Sequence, residues 1–272
     1  MCKAFSALVT KSGKVYWKAG LDNHDDLVEL FRKKDKELKD DKEPPKNTFA
    51  RIEIVPHDGN YLDLKQRWNY YIDEGVKPDF LTKEHEKKSR QALKEWQQEV
   101  YSKINLEEAL NPIDPFKIKH GDKVTQEELE LLKKWASVWD SVRTSVGDSV
   151  GASVRDSVRA SVGDSARDSL WASVRASLWD SLWDSVWDSV GDSLWDSVRA
   201  SVWAYIGSLF TGIDRWKYVD YKRKDLFRKG VYPFQPAVDL WKRGLVASYD
   251  GKLWHLNTGK KAKVIWKGKS HD

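Results

Sequence analysis

The sequence predicts a β-solenoid, a tetrapeptide-repeat β-helix held between two small α+β segments, with a long helical repeat as the alternative. Three observations carry that expectation. Ser recurs at every fourth position from Ser137 to Ser201, and Val or Leu follows it in 16 of 17 units, Ala166 being the exception. A four-residue beat fits a helix poorly: at about 100° per residue the aliphatic stripe drifts about 40° per unit and sweeps the circumference in about nine. Helical propensity is also poor, since the Ser, Val, Asp and Gly of the block sum to roughly 20 to 30 kcal/mol worse than alanine. A solenoid with one unit per side instead stacks Val or Leu on Val or Leu, with Ser beside it and coils about 4.8 Å apart.

The two remaining positions of the unit vary. Asp precedes Ser ten times, Ala six times and Thr144 once; Trp follows the aliphatic residue seven times, Arg six and Gly four. Trp, Arg and Gly codons differ in one base, so the mixture is what drift under tolerance leaves behind. Groups of such different size are exchanged only where packing does not constrain them, which places these side chains outside and Ser and Val or Leu inside.

Around the block, residues 1–124 are expected to form an α+β segment, 125–135 a capping helix, 136–207 the solenoid and 208–272 an α+β cap. Residues 3–10 and 14–18 read as a hairpin about Ser12-Gly13. Asn23 is a helix N-cap with Asp25 and Asp26 in the first turn, and 33–46 is a charged linker ending at Pro44-Pro45. Strands are expected at 48–55 and 67–72 across a turn at His57-Asp58-Gly59-Asn60, and an amphipathic helix over 82–104. Thr125-Gln126-Glu127-Glu128 is a capping box. Beyond the repeat, 215–221 reads as a strand and 236–243 as a helix. The strands 245–248 and 253–256 flank the Asp250-Gly251 turn, and 262–267 adds a last strand.

With these residues in view, the chain is similar in kind to pentapeptide-repeat proteins, square β-helices with a small residue, a polar residue and a central Leu or Phe per side. The unit here is one residue shorter, and ten Asp fall where that family places a small inward residue, so only the solenoid principle carries across. The flanks CKAFSALVTKSGKVYWK (2–18) and GVYPFQPAVDLWKRGLVASYDGKLWHL (230–256), around an SVW/SVR/SVG block, resemble a group of bacteriophage and metagenomic hypothetical proteins. That resemblance implies no activity, cofactor or catalytic residue, and a virion or other structural role is one reading it leaves open.

Composition narrows the chemistry. Cys2 is the sole cysteine, which removes internal disulfides and Cys-rich metal sites. The six histidines (His24, His57, His85, His120, His255 and His271) show no metal-ligand spacing, and no phosphate loop or dinucleotide fingerprint is present, so neither metal nor cofactor is expected. His57-Asp58, with Glu53 or Glu74 near, offers a base and an orienting carboxylate, but adjacent turn residues are ordinarily solvated, and no enzyme is expected. No stretch of about 18 apolar residues and no secretory leader is recognisable, so the expectation is a cytoplasmic or virion-associated protein.

A binding or scaffold role remains. One reading is a protein or glycan partner gripped by Trp171, Trp179, Trp183, Trp187 and Trp195. The other is a nucleic acid whose backbone follows Arg155, Arg159, Arg167, Arg175 and the basic flanks while Trp stacks on bases. The repeat nets −4 and the flanks +9, and the Asp rows weigh against the second reading.

Overall fold

The structure, a computed structural model, describes residues 5–39, 47–73, 76–146, 149–163, 167–168, 171–172 and 192–270. Two compact units divide the chain: Met1–Lys103 with Arg159–Leu170, and Ile104–Val158 with Trp171–Asp272.

The first unit is built on an antiparallel sheet of order β2-β1-β3-β4, with β1 at Phe5–Thr10, β2 at Val15–Tyr16, β3 at Phe49–Pro56 and β4 at Trp68–Ile72. Strand β1 is buried along its whole length because both faces of the sheet are covered. Helix α1 (His24–Phe31), capped by the Asn23 side chain, closes one face through Leu8, Leu27, Leu38 and Phe49. Side chains an odd number of residues apart in a strand point to opposite faces. Phe5 therefore meets the other layer, where α2 (Lys83–Tyr101) places Trp96 at 5.8 Å from it and 6.4 Å from Trp68.

The second unit joins a β5-β6-β7 meander to helices. The strands are Val246–Tyr249, Trp254–Thr258 and Lys263–Gly268. The helices are α3 (Leu106–Leu110), α4 (Gln126–Val146), α5 (Ser149–Val162, whose last turn belongs to the first unit), α6 (Asp192–Ser208) and α7 (Gln235–Lys242). Its core stacks Tyr205 on Trp241 at 5.3 Å, and both hold Ile113: the phenol oxygen accepts its N–H and the indole N–H donates to its carbonyl. Trp139 sits edge-on to Tyr249 and Trp254.

The predicted solenoid is not what forms. Among the described residues the chain is a mixed α+β fold with seven α-helices, a four-stranded and a three-stranded antiparallel sheet and no stacked coils; the described repeat units are helical. Nor do the described units form one unbroken helical repeat, since Gly163, at φ +88°, stands outside the helix that precedes it. The reason is length. A drift of about 40° per unit spoils a helix of seventeen units, but over the four units of α5 the stripe turns only about 120°, close to the width of an ordinary buried face. Val150, Val154, Val158 and Val162 are accordingly all buried. Gly163, at φ +88°, ends this helix with its N–H on the Arg159 carbonyl. The low propensity is overridden by burial.

Most described Ser and Val of the repeat are buried in these helices, Ser137, Ser141, Ser161 and Val202 being half-buried, but the variable positions are not uniformly outside. Trp139 and Trp203 are buried, and Gly151 lies so near Trp203 that a Cβ would come within 2.9 Å of the indole.

Candidate nucleic-acid interface

The expected strand at 215–221 is absent; residues 211–234 run between α6 and α7 without helix or strand. Tyr218 breaks the alternation, adopting φ +61°, a left-handed conformation that costs an aromatic residue energy unless its surroundings hold it there.

Aromatic anchors hold the loop. Trp216, Phe227 and Phe234 are buried, and Tyr232 packs edge-on to Trp216 at 4.9 Å while its hydroxyl donates to the Ala204 carbonyl at 2.5 Å. Burial pushes the Tyr232 phenol well above its ordinary pKa, so it stays a donor. The Gly230 N–H on the Asp214 carbonyl closes the base of the loop. Two repeat serines one helical turn apart clamp a single residue: Ser157 Oγ accepts the Lys217 N–H at 2.7 Å, and the Ser153 hydroxyl donates to the Lys217 carbonyl at 2.5 Å. The Tyr218 hydroxyl donates to Asp156 Oδ2 at 2.7 Å, a bond that raises the phenol's pKa.

The outward side is cationic. Residues 215–229, RWKYVDYKRKDLFRK, hold seven Lys and Arg against two Asp. Arg223 forks onto Asp225 at 3.1 and 2.8 Å, raising its own pKa and lowering that of the carboxylate, and Arg215 lies over the Tyr221 ring at 5.3 Å. Lys217, Lys222, Lys224, Arg228 and Lys229 are exposed, and among the described residues no carboxylate pairs with any of them. Tyr218 stands among them, 42 % exposed. The wider segment shares the bias: residues 204–272 hold fifteen Lys and Arg against six Asp and no Glu, a net of +9, while residues 1–203 hold 32 against 36.

Of the residues singled out from sequence, Arg155 belongs to this surface: it is exposed on α5, 3.7 Å from the Asp156 that holds Tyr218. Arg159 is exposed on the last turn of α5, and Arg167 is paired with its neighbour Asp168 at 2.8 Å. Trp171 is half-buried and stacked on Trp203, with ring centroids 4.2 Å apart and planes at 6°. Trp179, Trp183, Trp187, Arg175 and the Trp195 side chain lie outside the described residues.

His57 and Asp58 do not form a dyad. His57 Nδ1 faces the Asn69 amide at 3.1 Å, and the Asp58 carboxylate accepts the Asn60 N–H at 2.8 Å. His57 lines a cleft of about 430 Å³ with Arg67, Asn69, Tyr70, Tyr71 and others.

Sequence reasoning missed Tyr218, Lys222, Lys224, Arg228 and Lys229. The available signal was the density of Lys and Arg interleaved with Tyr over fifteen residues, diluted when charge was summed over both flanks.

Comparison of the chain with protein-family models, with curated proteins and with solved structures returns no match. Among the described residues no helix is long and apolar enough to cross a membrane.

Proposed function

We propose that this protein is a non-catalytic nucleic-acid-binding protein that engages single strands through the loop 211–234. The observation that carries the reading is the set of five exposed cations, paired with no carboxylate among the described residues, on a loop fixed from beneath by buried aromatic rings. Charges that neutralise no carboxylate of their own are available for phosphates, and each phosphate contact releases counterions from the strand. Pre-ordering limits the entropy lost on binding. Tyr218 supplies the aromatic face on which a base stacks irrespective of its identity.

A protein or glycan partner is the second reading, favoured by the Trp content of the repeat. Trp171 offers it little, because that ring is already spent on Trp203.

Fluorescence anisotropy with a labelled 20-nucleotide single strand tests the proposal. Five phosphate contacts predict a slope of log K against log salt of about −3.5. The quadruple variant Lys222→Glu, Lys224→Glu, Arg228→Glu, Lys229→Glu should lose binding at least tenfold with an unchanged circular dichroism spectrum, since these side chains are exposed. Salt-insensitive binding, or none in the wild type, overturns the reading.

A further inference from the structure

Three residues distant in sequence meet in the first unit: His24, the first residue of α1; Glu53 in β3; and Asp73, just past β4. One ligand atom from each lies within 4.8 Å of the others. The sheet register explains the meeting. Glu53 pairs with Tyr71, and the Asp73 N–H bonds the Arg51 carbonyl, so Glu53 and Asp73 occupy one face of neighbouring strands, the face that α1 covers.

The imidazole is the informative group. His24 is 3 % exposed, its Nε2 is 3.0 Å from the Ile52 carbonyl oxygen, and its Nδ1 is 3.0 Å from Asp73 Oδ2. A carbonyl oxygen only accepts, so the ring proton belongs on Nε2. With that proton placed, Nδ1 faces the Asp73 carboxylate oxygen at 3.0 Å, a contact that a positive charge must mediate: a second ring proton on the line between them, or a metal ion beside that line and bound to both. A proton on Nδ1 satisfies that contact alone, as an imidazolium–carboxylate pair. A divalent metal ion engages all three converging donors, and neutral imidazole with two carboxylates carries −2. An imidazole whose second N–H is held by a backbone carbonyl is also how metal-bound histidines are oriented.

We infer that His24 Nδ1, Glu53 and Asp73 form a site for a divalent first-row transition-metal ion. Imidazole nitrogen favours zinc, iron or nickel over magnesium and calcium, and the two carboxylates supply the charge and oxygen donors. Metal–ligand bonds of about 2.0 to 2.2 Å set ligand atoms about 3.0 to 3.5 Å apart, a spacing the His24–Asp73 pair already has, so any closure falls to Glu53. The half-exposed Asp73 side chain leaves room for water in the remaining coordination positions. The site lies in the first unit and does not depend on the loop 211–234 or on the function proposed for it.

The full chain is titrated with Zn²⁺ by calorimetry and with Co²⁺ by visible absorption, beside Asp73→Asn and Glu53→Gln. Expected is one Zn²⁺ per chain and a Co²⁺ ligand-field band, with affinity at least tenfold weaker in each variant. Glu53→Gln, nearly isosteric, carries the test if Asp73→Asn fails to fold. Absence of Zn²⁺ and Co²⁺ binding, or equal affinity in wild type and both variants, overturns the site and leaves an imidazolium–carboxylate pair.

Discussion

Tyr218 combines three properties that rarely coincide in one residue: a left-handed backbone, an exposed ring and a hydroxyl fixed to Asp156. The first costs stability and the third holds the ring in place, so the exposure of the ring is maintained by structure. Replacing it by alanine is expected to weaken single-strand binding by about 1 to 3 kcal/mol, the usual worth of a base–aromatic stack, which is roughly 5- to 150-fold. The salt slope should not change, because no charge is removed. Lys222→Ala should behave in the opposite manner, flattening the slope by about 0.7 while leaving stacking intact. Anisotropy titrations at three salt concentrations separate the two; a slope that falls in Tyr218→Ala would mean that the ring only positions the neighbouring cations.

Helices α5 and α6 use the repeat in the same way at two places. Ser153 and Ser157 hold the backbone of Lys217, and Ser197 and Ser201 hold that of Tyr249 and Ala247. A four-residue spacing puts successive hydroxyls nearly above one another on a helix, where they can grip an extended segment at its N–H and its carbonyl. Ser157→Ala strands the Lys217 N–H and is expected to cost about 1 to 3 kcal/mol locally. It should speed hydrogen exchange over 215–221 and weaken nucleic-acid binding without altering any charge; unchanged exchange would show that the aromatic anchors suffice. The interior assignment of Ser and Val was legible from the strictness of their period, and so were the hairpins about Gly13 and Gly251 and the cap at Asn23, which rest on local turn and capping chemistry. The winding of the repeat was not. The drift argument treats the block as one element, whereas Gly163 ends a helix after four units, before the drift exposes its aliphatic stripe. The loop at 215–221 was misread because Trp216 and Tyr218 alternate like a strand, and nothing local announces a positive φ at Tyr218. The meeting of His24, Glu53 and Asp73 follows from strand register, which spacing motifs do not register.

A well-partnered carboxylate in each unit, Asp35 in the first and Asp250 in the second, contributes to the response to acid. In the first unit Asp35 accepts from the Lys14 ammonium at 2.9 Å, the Glu37 N–H at 3.0 Å and the Tyr16 hydroxyl at 2.8 Å, and the Lys14 bond leads in lowering its pKa to about 2. In the second, Asp250 accepts the Leu253 and Lys252 N–H groups of the β5–β6 turn, with Lys267 at 3.4 Å, and is likewise lowered to about 2. A folded-state pKa below the unfolded one means that the stabilisation is complete above about pH 4 and is lost as the pH falls through about 2. Each carboxylate then contributes on the order of 1 to 2 kcal/mol at neutral pH. Asp35→Asn and Asp250→Asn should therefore lower the urea midpoint at pH 7 and converge on the wild type by pH 2. Since the carboxylates lie in different units, their effects should add in the double variant. A destabilisation that stays constant from pH 7 to pH 2 would mean that the substitutions act through shape or lost hydrogen bonds, and that the charge of neither carboxylate governs acid stability.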